Sequence, residues 1–420
     1  MKILAIDTSC DDTAVAILAT EIRNPKHEIR NNKVRILSNI VSSQVKLHAK
    51  YGGVYPTLAK REHQHNLVVV LTKALTETRL LKILNPKSEI RNKSKMQNPK
   101  FKTVEKILER EEILRPKLLK FLEKYQKPKI NAIAITIGPG LEPCLWVGVN
   151  FAKALALWWD LPIIPVNHLE AHLLANWLSP VSENPKSEIR NPKQIQNAKS
   201  KNSKKIEFPA VGLVVSGGNT QLFLIKGIGK YKLLGETRDD AAGECFDKTA
   251  RILGLGYPGG PAIAANAAME FKVKSLKLKV KLPRPMINSK DYDFSFSGLK
   301  TAVLYDYKKQ RKAVCQSEEY KMAMAREIQQ VVIDVLLKKT LRAAKEYQAK
   351  AIILGGGVAS NQNLKQQFKV KSAKLKVDFL VPEKNFCTDN AAMVGISACF
   401  HFKNKQQWKY IKPRANITIQ

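Results

Sequence analysis

The sequence lacks the features that mark secreted and membrane proteins. Its six cysteines include no C-x-x-C pair, which argues against a disulfide scaffold and for a reducing compartment. No apolar run reaches the ~18 residues that a bilayer span needs, and Asp7 ends the first apolar run too early for a signal peptide. These absences predict a cytoplasmic protein that makes no use of a membrane.

Acidic residues are scarce, because 36 Asp and Glu stand against 71 Lys and Arg and leave a net charge of +35. This excess predicts a polyanionic partner such as nucleic acid. Part of it lies in repeated segments: NPKSEIRN-like units occupy residues 21–33, 85–102 and 184–205, and FKVKS-type units occupy 271–280 and 368–377. We expect loop insertions from the first type and edge strands or charged ribbons from the second. Because the same units recur at unrelated places, we favour loop expansions without a function of their own. The alternative is that they add non-specific attraction to phosphates.

Two histidines on one short helix give the strongest local signal for chemistry. His168 and His172 are four residues apart, so on a helix both rings project from one face and can reach one cation. Asn167 precedes them and suits the N-cap position, and Glu170 stands where a capping box places its glutamate. The segment therefore predicts a helix that begins at the first metal ligand, although such a pair also occurs by chance in ordinary helices.

The same histidine pair raises the alternative of a zinc peptidase. In H-E-x-x-H peptidases the glutamate directly follows the first histidine, whereas here Glu170 comes two residues after His168. On a helix that offset is about 200° around the axis, so the carboxylate faces away from any metal-bound water. The spacing therefore favours a metal and weakens the peptidase.

Two strand–turn–strand segments in distant parts of the chain suggest two related lobes. Residues 3–18 carry the polar tip DTSCDDT, and residues 210–225 carry the tip SGGNT. Small polar tips can offer backbone N–H groups to a phosphate. A third strand, at 351–354, runs into a glycine triplet, a pattern typical of adenosine or phosphate binding.

Two aspartates in the second half have alternative interpretations. Asp247 either touches a substrate hydroxyl or is merely solvated beside Lys248. Asp389 opens a helix, where an aspartate is usually an N-cap, or it is a third, oxygen ligand for the metal. Two histidines and one carboxylate would leave metal positions open for a substrate.

Nine sequence blocks, taken in order, resemble the universal family of tRNA threonylcarbamoyladenosine transferases, once described as glycoprotein endopeptidases. They span nearly the whole chain outside the insertions, and together they are far more specific than any one alone. The blocks are IDTSCDDTAVAI, YGGVYP with REH, GPGL, NHLEAH, VVSGGNTQL, DDAAGECFDKTARILGLGYPGGP, FSFSGLKTAV, GGGVASN and CTDNAAM.

The resemblance implies a two-lobed α/β fold of the actin-like, sugar-kinase-like ATPase type. We expect an N-terminal lobe over residues 1–165 and a C-terminal lobe with the metal and adenylate site over residues 166–420. The implied activity is transfer of threonylcarbamoyl from threonylcarbamoyl-AMP to N6 of adenosine 37 in tRNAs that read ANN codons. The implied partners are tRNA, a shorter paralogue that dimerises with the chain, and a small ATPase of the bacterial complex.

The resemblance also assigns roles to residues of this chain. One divalent metal, Fe²⁺ before Zn²⁺, would be held by His168, His172 and Asp389. The adenylate would be bound by Val215, Ser216, Gly217, Gly218, Asn219, Asp247, Gly260 and Asn361. The residue that takes the amine proton is not readable from the motifs, and Asp11 is a candidate.

The chain departs from the family at three positions, and other functions stay open. Asn219 stands where many bacterial members have His, and Thr57 and Lys60 replace the usual Glu and Ser after YGGV. The alternatives are a metallopeptidase, a sugar kinase or ATPase of the same fold, and a non-catalytic module for complex assembly.

Overall fold

The framework consists of two five-stranded mixed sheets. The computed structural model describes residues 1–20, 34–84, 99–178, 206–269, 278 and 280–419. The first sheet contains β1 (Lys2–Asp7), β2 (Asp12–Thr20), β3 (Val34–Ser43), β4 (Ala132–Gly138) and β5 (Ile163–Asn167), in the order β3-β2-β1-β4-β5. The second contains β6 (Ala210–Val215), β7 (Thr220–Gly227), β8 (Lys230–Glu236), β9 (Ala351–Gly355) and β10 (Asp378–Leu380), in the order β10-β9-β6-β7-β8.

The two sheets share one topology. In the first, β1, β2 and β3 pair antiparallel, while β4 and β5 continue the sheet parallel to β1. In the second, β6, β7 and β8 repeat the antiparallel half, and β9 and β10 repeat the parallel half. This repetition confirms the predicted two-lobed α/β fold.

The central strands are apolar on both faces because helices cover both sides of each sheet. All seven residues of β4 and all six of β6 are buried. A parallel strand covered on both faces loses the alternating pattern and reads as a continuous apolar run. That is why the strands were readable in the sequence.

Helices in the first half pack mainly on the first sheet, and those in the second half mainly on the second. The helices of the first half are α1 (Val45–Ala49), α2 (Pro56–Glu77), α3 (Pro99–Ile107), α4 (Leu114–Lys124), α5 (Glu142–Trp159) and α6 (His168–Leu174). Those of the second half are α7 (Ala242–Leu253), α8 (Gly259–Ala268), α9 (Ser297–Lys309), α10 (Lys312–Cys315), α11 (Glu318–Glu346), α12 (Gln362–Lys374), α13 (Lys384–Cys387) and α14 (Ala391–Phe400). No helix in the described part of the chain has the length and hydrophobicity that crossing a bilayer requires.

The last helix does not follow this division. Helix α14 packs on β1 and β2 of the first sheet, in a core that it shares with Ile3 and Leu18. Its Gly395 permits the approach, because a Cβ there would lie 2.2 Å from a Leu18 methyl carbon. Helix α14 therefore brings the chain end against the first sheet, and the division into lobes over residues 1–165 and 166–420 stays a prediction.

The basic segment 368–377 is not the expected edge strand or ribbon, and that prediction is wrong. Residues 368–374 lie in α12, where Phe368 and Ser372 are one helical turn apart and both are buried. The Phe368 ring stacks on Phe379 of β10 with centroids 5.7 Å apart. Packing of Phe368 against Phe379 favours the helical spacing of buried residues over the alternating spacing of a strand.

The insertion expected at 85–102 is shorter than predicted. Residues 99–102 form the first turn of α3, where Phe101 is buried and the Lys100 ammonium lies 2.7 Å from the Asp160 carboxylate. The insertions predicted at 21–33 and 184–205, the first part of 85–102 and most of 271–280 lie outside the described residues.

Candidate active site

The histidine helix begins as the sequence predicts. Asn167 ends β5, and its Oδ1 accepts hydrogen bonds from the backbone N–H groups of Leu169 (2.9 Å) and Glu170 (3.2 Å). This confirms the N-cap, which satisfies backbone donors that the helix itself leaves unpaired. His168 and His172 are both buried, and their rings meet edge to face with centroids 4.6 Å apart.

Glu170 does not complete the predicted capping box. Its Oε1 accepts a hydrogen bond from the Tyr231 hydroxyl (2.7 Å) and lies 2.8 Å from His401 Nε2. The hydrogen bond to Glu170 raises the pKa of His401. Two donors from β8 and from the end of α14 thus draw the carboxylate away from the helix start. This placement also agrees with the expected direction of Glu170, away from the metal face, and so counts against a peptidase.

Asp389 lies beside the two histidines rather than at a helix cap. Its Oδ1 is 3.1 Å from His172 Nε2 and 3.5 Å from His168 Nε2. The N-cap of α14 is Asn390, whose Oδ1 accepts from the Met393 N–H. The N-cap interpretation of Asp389 is therefore wrong, and the three predicted ligands come together with donor atoms within 4.8 Å of one another.

The chemistry of these three side chains fits a cation. Among the described residues, Nδ1 of His168 and Nδ1 of His172 are buried without a hydrogen-bond partner, and His172 Nε2 faces Asp389 Oδ1 at 3.1 Å without the geometry of a hydrogen bond. Buried polar atoms are almost always paired, so unpaired imidazole nitrogens beside a carboxylate fit a bound cation. On the far side of the His168 ring, Asp7 Oδ2 lies 3.7 Å from Nδ1. A carboxylate in that position orients a ligating imidazole in many metal sites.

Electrostatics keep the carboxylate ionised. Burial works against the charge on Asp389, but His168 and His172 outweigh it and hold the pKa of Asp389 well below its usual range. Burial likewise opposes protonation of His168, yet Asp389 and Asp7 raise its pKa to about 9. Burial lowers the pKa of His172. The cluster therefore offers a negative oxygen and a neutral imidazole, and a cation would replace the proton on His168.

A cavity of about 1520 Å³ opens beside this cluster and brings most of the predicted site residues together. Val215 is not among the residues that line it: the side chain is buried, and its carbonyl lies against Gly356. His172 also lies behind the wall rather than in it. The predicted residues that do line the cavity are Asp11, His168, Ser216, Gly217, Gly218, Asn219, Asp247, Gly260, Asn361 and Asp389.

Backbone hydrogen bonds hold the glycine tip, residues 216–219 between β6 and β7. The Ser216 N–H donates to the Asn219 carbonyl (2.8 Å), and the Gly243 N–H at the start of α7 donates to the Ser216 carbonyl (3.2 Å). A Cβ on Gly243 would lie 2.4 Å from that carbonyl oxygen. Gly217 and Gly218 face open space. The tip therefore presents exposed backbone at the end of a short, fixed turn, which suits a phosphate.

Asp247 and Asn361 are engaged by the protein itself. Asp247 Oδ1 accepts a hydrogen bond from the Gly259 N–H (2.7 Å) at the start of α8. Lys248 pairs instead with Asp240 and Glu244, so the interpretation of Asp247 as solvated beside Lys248 is wrong. Asn361 caps α12 through Oδ1 and donates from Nδ2 to Gln329. Both side chains thus hold loops of the cavity wall.

Further residues of the cavity wall were missed in the sequence. The first hairpin contributes Asp12, whose pKa burial raises to about 7, next to Asp11, whose pKa is raised by burial and then by Asp389. Residues 415–418 near the chain end also line the cavity, and the Ala415 carbonyl accepts from the Gly140 N–H. The repeated aspartates in DTSCDDT were a readable signal, whereas residues 415–418 carry no motif.

Comparison with known proteins decides the family. The family model "TsaD: tRNA N6-adenosine threonylcarbamoyltransferase" matches residues 35–82, 111–189 and 194–396. A tRNA N6-adenosine threonylcarbamoyltransferase of Syntrophomonas wolfei is 38% identical over 403 residues, which cover 96% of this chain and 93% of the relative. One of Persephonella marina is 38% identical over 406 residues, 96% of this chain and 91% of the relative. The chain belongs to the tRNA N6-adenosine threonylcarbamoyltransferase family.

Membership makes the chain an acyltransferase of tRNA modification, as the resemblance implied. It disfavours the peptidase and the kinase alternatives. A solved structure of full-length HypF matches 71% of this chain and 42% of its own at 12% identity, with a TM-score of 0.43, which is too low to add to the assignment.

Proposed function

We propose that the protein transfers the threonylcarbamoyl group of threonylcarbamoyl-AMP to N6 of adenosine 37 in tRNAs that read ANN codons. One observation carries this proposal: a cluster of two histidines and one aspartate shares a single cavity with a fixed glycine tip. A metal held by the cluster suits the carbonyl and carboxylate oxygens of a threonylcarbamoyl group, and the glycine tip suits a phosphate.

The metal would be held by His168, His172 and Asp389. Two nitrogens and one oxygen leave coordination positions open, and they suit Fe²⁺, our first choice, as well as Zn²⁺. A bound ion would supply Lewis-acid polarisation of an oxygen of the substrate. Asp7 Oδ2, 3.7 Å from His168 Nδ1, would help to orient that ring through its charge.

The adenylate would lie along the second lobe. The exposed backbone of Gly217 and Gly218, between Ser216 and Asn219, would take the phosphate. Gly260, Asp247 and Asn361 would form the wall beside it, with Val215 supporting the turn from below. The same N–H groups stabilise the charge on AMP as it departs.

The reaction exchanges one bond at the carbamoyl carbon. The adenosine N6 attacks that carbon, an N–C bond forms, the C–O bond to the phosphate breaks, and AMP leaves. The amine loses one proton, and Asp11 is the residue we propose to accept it. Asp11 lines the cavity, and burial together with Asp389 raises the pKa of its carboxyl above its usual value, which makes the carboxylate a stronger base.

The remaining partners follow from the family and the charge. The net charge of +35 supports tRNA as the polyanionic substrate, and the anticodon loop exposes an unpaired base to the cavity. We also propose a shorter dimerising paralogue, a small ATPase and a cytoplasmic location.

Reconstitution tests the function. The purified chain, its partner proteins and threonylcarbamoyl-AMP are incubated with an unmodified tRNA transcript that reads an ANN codon, and its nucleosides are then separated by mass. We expect threonylcarbamoyladenosine with the wild type and with His65→Ala, a histidine on α2 away from the site. We expect none with His172→Ala. Absence of product from wild-type protein with its metal content intact would refute the proposal.

A further inference from the structure

We infer that Tyr51 and Tyr55 form a stacking platform for unpaired bases next to the target adenosine in the anticodon loop. The inference rests on the proposed function, since it says how the tRNA substrate is held at the cavity mouth. It concerns two aromatic residues that no step of the transfer uses.

The two tyrosines stand out because they are large, exposed and in contact with each other. Tyr51 is 63% exposed and Tyr55 57% exposed. Their rings stack with centroids 6.1 Å apart and an interplanar angle of 28°. Exposed aromatic faces are the usual means by which proteins hold single-stranded RNA, and such stacking tolerates any base.

The platform lies next to the wall of the cavity that holds the metal cluster, although the two tyrosines do not line the cavity themselves. Val45, Gly52, Gly53 and Val54, from the segment around the two tyrosines, all line that cavity. A nucleotide whose base entered the cavity would therefore bring its neighbours in the RNA chain close to the tyrosine faces.

The loop of residues 51–55 is held in place by the buried His48 and by Arg251. His48 is buried, and its carbonyl accepts from the Tyr51 N–H (2.9 Å) while its Nδ1 accepts from the Tyr55 N–H (3.3 Å). Gln44 Oε1 lies 3.1 Å from His48 Nε2 on the opposite side of the ring. From the other lobe, the Arg251 guanidinium donates to the Gly52 carbonyl. A surface fixed before binding loses little conformational entropy when RNA docks.

Charge around the tyrosines indicates RNA rather than protein. Residues 44–61 contain four basic side chains and no acidic one, and Lys46, Lys50 and Arg61 among them are exposed. Aromatic faces in a segment that carries exposed cations match bases joined by phosphates. An interface with a neutral protein surface would not need this charge.

The test measures RNA binding by the full chain in complex with its partner proteins. The probe is a tRNA anticodon stem-loop with 2-aminopurine beside the target adenosine, whose fluorescence falls when it stacks. The variants are Y51A/Y55A and Y51F/Y55F, and the matched control is Tyr305→Ala, because Tyr305 is 68% exposed on α9 in the other lobe. We expect the double alanine variant to bind about 10- to 100-fold more weakly and to lose the quench.

The remaining variants separate stacking from charge. We expect Y51F/Y55F and Tyr305→Ala to bind within about twofold of the wild type, since phenylalanine keeps the stacking face. The alanine pair should leave the salt dependence unchanged, whereas Lys46→Ala should lower the slope of log affinity against log salt by about 0.7. Unchanged melting temperature and metal content show that each variant is folded.

Three outcomes would overturn the inference. The first is wild-type affinity and quench in Y51A/Y55A, with transfer intact; the proposed function would then stand without the platform. The second is loss of a partner protein from Y51A/Y55A with RNA affinity unchanged, which would make the pair a protein contact. The third is no RNA binding and no transfer by the wild-type complex, which would remove the proposed function as well.

Discussion

His172 Nε2 lies 3.1 Å from Asp389 Oδ1, although the first residue belongs to the first half of the chain and the second lies near its end. His172 is placed by α6, which follows the first sheet, and Asp389 by the turn before α14, which packs back on that sheet. The metal site therefore depends on the return of the chain end to the first lobe.

Removal of the His172 imidazole or of the Asp389 carboxylate should abolish metal binding. In His172→Ala and Asp389→Asn we expect metal content to fall from about one ion per chain to below about a tenth, because three ligands leave no spare donor. Elemental analysis of purified protein measures this, and His65→Ala should keep full metal content. Retention of a full ion by Asp389→Asn would exclude its carboxylate as a ligand.

Glu170→Gln should separate structure from chemistry. We expect it to keep its metal and to lose about 1–2 kcal/mol of unfolding free energy, because a neutral amide binds Tyr231 and His401 more weakly. Glu170 raises the pKa of His401 above the usual 6.5. The contribution is therefore fully present below pH 6.5 and declines as the pH rises through the raised value. Denaturant unfolding at pH 6 and pH 9 should show the larger deficit at pH 6; an equal deficit would contradict the ion pair.

Gly243→Ala should weaken adenylate binding without touching the metal. Its new Cβ would meet the Ser216 carbonyl at 2.4 Å and displace the glycine tip. We expect the affinity for a non-hydrolysable adenylate analogue to fall by about tenfold or more, as for a misplaced binding group. Calorimetry measures this. Gly298→Ala on α9 is the matched control, because a Cβ there meets no atom within 4 Å; it should bind normally and gain up to about 1 kcal/mol of stability. Equal affinities in the two variants would refute the role of the tip.

Acid should destabilise the protein through His63. This side chain is buried against Thr13 and the Cys10 carbonyl, and burial lowers its pKa from 6.5 to about 4. Between these values the unfolded chain binds a proton that the folded chain does not, so stability falls as the pH drops from 6.5 toward 4, by about 3 kcal/mol in all. His63→Gln lacks this titration. Unfolding free energies of the two proteins should converge or cross as the pH is lowered; parallel curves would contradict the prediction.

Local patterns were sufficient for much of the fold and part of the site. Strands such as β4 and β6 are apolar throughout, because both their faces are covered. The N-cap at Asn167 and the histidine spacing depend only on neighbours within one helical turn. Such features are properties of a short segment, and the sequence displays them directly.

Competing partners decided what the sequence left open. The sequence predicted a capping-box role for Glu170, but its carboxylate binds donors from β8 and from the end of α14 instead. The alternating pattern at 368–377 suited a strand, but burial of Phe368 against Phe379 selects a helix. In both cases a contact from a distant segment outweighs a local preference.

The sequence by itself determined the two α/β lobes, the histidine helix and the glycine tip, because each follows from the periodicity or turn chemistry of neighbouring residues. Only the tertiary structure decided that Asp389 is a neighbour of the histidines rather than a helix cap, that Val215 stands behind the cavity wall, and that the chain end returns to the first sheet. Those facts depend on which distant surfaces pack together. The spacing of residues along the chain does not specify that packing.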